Sequence, residues 1–346
     1  MFTLANNIHN QPKSLAHTLE YQRGKGAAAL KEAAVLLKSR KKVVITGMGA
    51  SLFASIPLKY HLISLGIDAV AIEAGELLHY LQPACKDAVV LMVSRSGESV
   101  EISKLLEKMK GHVPIIGVSN EPSSLLSRSA DVSLSIASLQ DQIVAIQTYT
   151  GTILTLHILG TQVDGTFASA MDEVQQLLPA FASVVAENME SLTEWDSFLT
   201  PLTSLYLLAR GSSLASAYEG SLLFHEVAKS AAVAMPVATF RHGPVEVVDS
   251  RFRGFVFAPQ DVTSGLNVAL AEDLVRFGGS VRLIGPTREA SQKLQWCSIP
   301  SVSASLVPLF QIVPLQAAAY RLAELNGIEP GSFRFAPQVA VNEASF

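Results

Sequence analysis

From Val43 onward the hydrophobic positions alternate between two periods. Val43-Val44-Ile45 is a short β-branched run that closes on Gly47-Met48-Gly49, and residues 51–65 then read as a helix. Residues 89–93 form a second apolar run, ending in Ser94-Arg95-Ser96-Gly97. A helix to about Lys110 follows, with Val100, Leu105, Leu106 and Met109 near the 3.6-residue period. Residues 113–118 and 132–136 read as a third and a fourth strand. Continuously apolar strands alternating with helices predict an α/β fold with a doubly wound parallel sheet.

The pattern then recurs. Tyr206-Leu207-Leu208 leads into Arg210-Gly211-Ser212-Ser213-Leu214, as Val43-Val44-Ile45 leads into Gly49-Ala50-Ser51-Leu52; Gly49 and Gly211 lie 162 residues apart. Residues 281–284 before Gly285 match 113–116 before Gly117 at a spacing of 168, and 306–326 match 140–160 at 166. Two copies of one α/β unit in tandem are expected. The expected boundaries are a helical segment 1–39, a first domain 40–165, linker helices 166–196 and a second domain 197–346 with a C-terminal tail. Pro179 inside the linker predicts a kink or break there.

Composition narrows the class. Of 346 residues, 49% are apolar and 16% charged, enough for two cores and too apolar for disorder. Mean hydropathy is +0.33, yet the apolar runs are strand-length and none approaches a membrane span. A net charge of −4 and no basic stripe argue against nucleic acid; the one basic cluster, 38–42, reads as a solvated loop before a strand. Cys85 and Cys297 form neither a disulfide framework nor a zinc pattern. With no signal-peptide pattern at the N-terminus, a cytoplasmic protein is expected.

The most informative segment is Ser94-Arg95-Ser96-Gly97-Glu98-Ser99, between a buried strand and a helix. Such a turn aims main-chain N–H groups and the positive end of a helix dipole at one point, and Gly97 allows a tight turn. Three hydroxyls add neutral donors suited to a phosphate that must also leave. The plainer reading is that serine merely caps the helix. Gly49-Ala50-Ser51 ends the neighbouring strand and could face the same pocket. Gly47-Met48-Gly49 alone suggests a dinucleotide turn, but Leu52 stands where its third glycine belongs and no acidic residue clearly ends the next strand. No cofactor is expected, and no spacing suggests a metal site.

The second half carries the ionisable candidates. Glu219 and Glu226 are two helical turns apart on the stretch after Gly211, and Arg241-His242-Gly243-Pro244 is a polar loop. A glutamate and a histidine suit aldose–ketose chemistry, which moves a proton between C1 and C2 and opens the ring. His61, His79, His157 and His225 suggest no role.

At these residues the chain resembles the sugar isomerase (SIS) family, with two flavodoxin-like SIS domains in tandem, and is similar to the isomerase half of glucosamine-6-phosphate synthase. Ile8-His9-Asn10-Gln11-Pro12 with Leu15 resembles that family's Ile-x-x-Gln-Pro-x-x-Leu opening. Residues 94–99 resemble its phosphate loop, and Asn120 with Ser123-Ser124-Leu125 its Asn-x-x-x-Ser-Leu stretch. Glu219-Gly220 with Glu226 resembles its Glu-Gly helix, and Arg241-His242-Gly243-Pro244 its Lys-His-Gly-Pro loop. The resemblance implies that Ser51, Ser94, Ser96 and Ser99 bind phosphate, that Ala50 shares their turn, and that Arg95 contributes mainly its backbone. It implies Glu226 as the base, Glu219 behind it, and His242 in ring opening, reaching a dimer partner's active site. A homodimer acting on a hexose or hexosamine 6-phosphate by isomerisation or deamination follows, with no nucleic acid and no membrane. A deglycase of fructosamine 6-phosphates and a non-catalytic regulator are the alternatives.

Two departures stand out. Leu223 replaces a lysine three residues before the glutamate, and Pro337 replaces the Schiff-base lysine in Phe335-Ala336-Pro337-Gln338-Val339. With no glutaminase portion in these residues, glutamine-dependent amination is not expected.

Overall fold

Continuously apolar strands are buried on both faces, so each must lie inside a sheet covered by helices. The structure, a computed structural model, describes residues 3–287, 294–335, 340, 342 and 343, and it shows two such sheets. The first contains β1 (Lys42–Gly47), β2 (Asp68–Glu73), β3 (Ala88–Val93), β4 (Ile115–Ser119) and β5 (Val132–Ser135). All pair in parallel, in the order β2-β1-β3-β4-β5. Every residue of β3, at the centre, is buried.

The second sheet contains β6 (Ser204–Ala209), β7 (Val233–Pro236), β8 (Phe252–Phe257), β9 (Ser280–Gly285) and β10 (Gln295–Ser298). Its parallel order β7-β6-β8-β9-β10 is the same permutation, so the two sheets are copies in topology as well as in pattern. One side of it is packed by an aromatic group, with Tyr206 stacked on Phe252 at 5.3 Å between ring centroids and Phe240 edge-on to Tyr206 at 5.5 Å.

The alignment of the copies needs correction past the first strand. β1 and β6 begin and end 162 residues apart, as expected. Gly117, however, lies inside β4 whereas Gly285 ends β9, so the strand ends are 166 apart and the two glycines are not equivalent. The later helices are Gln147–Asp164 and Val307–Leu325, whose first residues are 160 apart. The expected start at Gln140 is too early because residues 140–146 form a loop. Asp141 holds that loop by accepting the main-chain N–H groups of Ile146, Gln147 and Thr148 at 2.8–3.0 Å.

Two helix expectations also change. Residues 51–65 form two helices, Ala50–Ala54 and Ile56–Ser64. Pro57 sits in the first turn of the second, where its missing N–H costs nothing, and Ser55 Oγ donates to Leu52 O across the break. Pro179 breaks nothing: Phe167–Glu190 is one helix, seated by buried Met171, Val174, Phe181, Val184 and Val185. That burial outweighs the one hydrogen bond proline removes.

The compact units do not follow chain order. One gathers Asn10–Leu178 with the described residues from Phe333 onward, and the other gathers Pro179–Ser332 with the residues up to His9. The tail is fastened to the first sheet's unit: Val100 N donates to Ala340 O at 3.1 Å, and Glu343 pairs with Lys104 and with His79. No helix among the described residues is long and apolar enough to cross a membrane.

Candidate functional site

The order of the first sheet reverses between β1 and β3, and loops leaving the carboxyl ends of those strands meet at that reversal. They are close enough that a side-chain carbon on Gly47 would lie 2.6 Å from Val93 O, so only glycine fits. The turn after β1 uses Gly49 at φ +50, a conformation L-residues avoid, to start the helix Ala50–Ala54. Ala50 and Ser51 are half-buried in that first turn.

Residues 94–99 leave β3 beside it. Ser94 N donates to Val118 O at 3.0 Å, and Ser94 Oγ accepts Gly97 N at 3.1 Å. Ser96 Oγ accepts Glu98 N at 3.3 Å. Arg95 O accepts Asn120 N and Ser119 Oγ, while its guanidinium donates from Nη1 to Ile143 O at 2.8 Å. The arginine charge is thereby spent on a neighbouring loop. Glu98 reaches across to the next turn, its Oε1 accepting Leu125 N at 2.6 Å. Asn120 braces residue 138 from both sides, accepting Ser138 N at 2.8 Å and donating to Ser138 O at 3.2 Å.

Ser99 is the residue on which the two readings of this loop differ. It occupies the N-cap position of the helix Val100–Met109, yet its side chain makes no capping hydrogen bond. The residue is 8% exposed and Oγ has no hydrogen-bond partner among the described residues. A buried hydroxyl without a partner costs about 1–3 kcal/mol, which an incoming acceptor would recover. Glu101, in the same first turn, also has a buried Oε2 without a partner, and its charge bounds how much anion the turn accepts.

In the other unit the helix Leu214–Glu226 carries both glutamates. Glu219 is buried and Glu226 is the half-buried last residue. Gly220 is required by packing, since a side-chain carbon there would lie 2.4 Å from Leu315 and 2.7 Å from Leu207. Leu223 points into the core, 1% exposed. Lys229, at φ +53, ends the helix: Ser230 N closes back on Phe224 O, and the ammonium donates to the carbonyls of Glu226 and Ser332.

His242 follows the short helix Val237–Arg241 after β7 and is exposed. The helix Leu214–Glu226 starts at the carboxyl end of β6 and runs back about 18 Å, so Glu226 lies toward the amino edge of the sheet. His242 lies at the carboxyl edge. The structure therefore does not bring this glutamate and this histidine of one chain together. His225, with no expected role, accepts Ala232 N at Nε2. Pro337 lies outside the described residues.

Sequence reasoning missed three features. β2 ends in Glu73, an acidic residue at the position a dinucleotide ribose would require. Its carboxylate is already engaged, accepting Glu76 N at 2.9 Å as a helix cap. Asp141 was also missed, because the helix it caps starts later than its pattern suggested. The return of the tail to Val100, Lys104 and His79 has no local signal at all. Among the described residues no three His, Cys, Asp or Glu side chains could hold a metal. Burial pushes the Cys297 thiol up to about 12, so it offers no nucleophile.

Comparison with known proteins agrees with this architecture. The family model "SIS domain" matches residues 36–161. A glutamine–fructose-6-phosphate aminotransferase (isomerizing) of Pyrobaculum aerophilum is 29% identical over 331 residues, covering 93% of this chain and 54% of that protein. The chain thus spans about half the length of the curated relatives it matches. The solved C-terminal domain of glucosamine-fructose-6-phosphate aminotransferase from Francisella tularensis superposes with a TM-score of 0.85 at 19% identity, covering 95% of this chain and 97% of that one. A glucosamine-6-phosphate deaminase from Thermotoga maritima superposes at 0.75 with 18% identity, covering 97% and 99%. At such identities the structural likeness establishes the fold: two flavodoxin-like units in tandem.

Proposed function

Because residues 36–161 match the SIS-domain model, we propose that the chain is an enzyme that moves a proton between C1 and C2 of a hexose or hexosamine 6-phosphate, giving isomerisation or deamination. The observation that carries this reading is Ser99: a buried hydroxyl at a helix N-terminus that neither caps the helix nor finds another partner. Ser51, Ser94, Ser96 and Ser99, with the N–H groups of the two turns and of Ala50 and Arg95, would hold the phosphate.

Glu226 would take the proton from C2 of the open-chain aldose and return it to C1, through an enediol or enolamine. Glu219, buried two turns earlier on the same face, would position that helix. Since Glu226 and His242 of one chain lie at opposite edges of the second sheet, ring opening would fall to the partner subunit's His242 in a twofold dimer. A deaminase release of ammonia needs only water besides the hexosamine phosphate, so neither missing lysine is required. The similarity to an aminotransferase half and to a deaminase fold supports the substrate class.

Incubation with glucosamine 6-phosphate, fructose 6-phosphate and related hexose phosphates, read as ammonia release and aldose–ketose conversion, tests the reading. Turnover of at least one, abolished in Glu226→Gln with binding retained, supports it. Tight binding without any product would favour a sugar-phosphate regulator.

A further inference from the structure

The second sheet has its own reversal of strand order, between β6 and β8, equivalent to the one between β1 and β3. Ligands of open α/β sheets sit beyond the strand ends at such a point. The residues there take no part in the function proposed above. Gly211 follows β6 at φ +56, matching φ +50 at Gly49, and Ser213 stands in the place of Ser51. After β8 the chain enters the helix Ser264–Arg276.

Arg210, at the end of β6, crosses to that helix. Its Nε donates to Asn267 Oδ1 at 3.0 Å, and Asn267 Nδ2 donates to Phe257 O at 2.9 Å. Asn267 is fully buried, so the guanidinium is held against the first turn of the helix. That is an unfavourable place for a cation, because the N-terminus carries the positive end of the helix dipole. Among the described residues no carboxylate lies within ion-pair distance of Arg210. Asp261, the acidic residue preceding this helix, turns its Oδ1 back to the N–H and hydroxyl of Thr263.

Two hydroxyls on the same two turns also lack acceptors. Ser264, the first residue of the helix, and Ser213, at the turn after β6, are each 1% exposed, and neither Oγ has a partner among the described residues. First-turn N–H groups lack helical acceptors by geometry. There is also space, since a side-chain carbon on Gly211 or Gly265 would meet no atom within 4 Å. One anion the size of phosphate would satisfy the free fork of Arg210, the hydroxyls and the N–H groups together.

We infer that Arg210, Ser213, Ser264 and the N-terminus of the helix Ser264–Arg276 form a second oxyanion site, which takes inorganic phosphate or the phosphoryl group of a small metabolite. It differs in kind from the loop at residues 94–99. That loop presents neutral donors, whereas here a fixed guanidinium faces the ligand, an arrangement for retention and hence for an effector or structural anion.

Titration of the whole chain with inorganic phosphate, followed by calorimetry, tests this. Two sites per chain are expected. Arg210→Gln should remove one, with affinity there weakened at least tenfold, while Ser96→Ala weakens the other. Gly265→Asp adds a carboxylate in the first turn of the helix, at a position where a side-chain carbon meets no atom within 4 Å, and should remove the same site as Arg210→Gln while leaving the melting temperature in place. Unchanged phosphate stoichiometry and affinity in folded Gly265→Asp protein would overturn the inference. So would a single wild-type site lost in Ser96→Ala and kept in Arg210→Gln. A single site lost in Arg210→Gln and kept in Ser96→Ala would uphold this inference and reject the phosphate role of residues 94–99.

Discussion

A side-chain carbon on Gly97 would lie 2.2 Å from Ser124 Oγ. The loop at 94–99 is thus pressed against the turn that starts the next helix, and Gly97 O accepts Leu126 N there at 3.1 Å. Gly97 also sits at φ +65, a second reason for glycine. Gly97→Ala should destabilise the protein by about 1–3 kcal/mol and weaken sugar-phosphate binding by more than the stability loss explains. Chemical denaturation and calorimetry on the same sample measure both. A fully stable, fully binding variant would mean that the loop is not held as described.

Ser99 separates function from stability. Its hydroxyl makes no protein hydrogen bond, so Ser99→Ala should leave the unfolding midpoint unchanged or slightly raised. Phosphate affinity should fall about tenfold, the worth of one lost hydrogen bond to a charged group. Loss of stability with undiminished binding would mark Ser99 as structural.

The separation of Glu226 from His242 predicts complementation. Glu226→Gln and His242→Ala should each be inactive alone. Refolded together, they should regain about a quarter of wild-type turnover, because half of a random mixture is heterodimer and one of its two sites is intact. No recovery would show that both groups act within one chain or that one of them does not act.

Burial lowers the His157 pKa to about 4, helped by the nearby His61 and opposed by Asp164. The folded state therefore disfavours the proton that the unfolded chain takes up near pH 6.5. Stability from this group is complete above about pH 6.5 and is lost as pH falls toward 4, by up to about 3 kcal/mol. His157→Gln should flatten the stability profile between those two values. An unchanged acid-side slope would place the proton uptake elsewhere.

How much of this was legible in the sequence follows from burial. β1, β3 and β4 stand out because their residues are apolar almost without interruption, and β5 because Val132 and Leu134 alternate with serines. β2 is an edge strand with only Ala69 buried, and its apolar run, residues 69–72, is just four residues long between two acidic ones, so Glu73 at its end went unread. The short β7 is hidden because its four residues lie inside a longer apolar stretch, residues 231–238, that marks no strand boundary. The loop at 94–99 was readable because serine and glycine cluster between a strand and a helix. What Arg95 bonds to lies 24 to 48 positions away and leaves no local pattern.

The proposed role of Glu226 is to move a proton on a sugar phosphate. Its most direct measurement is deuterium incorporation at C1 or C2 of a hexose or hexosamine 6-phosphate incubated with the protein in deuterium oxide. Wild-type protein should exchange the label. Glu226→Gln should slow exchange at least a hundredfold, while binding stays within about twofold. Absence of exchange with every phosphosugar tried, or undiminished exchange in Glu226→Gln, would contradict the account.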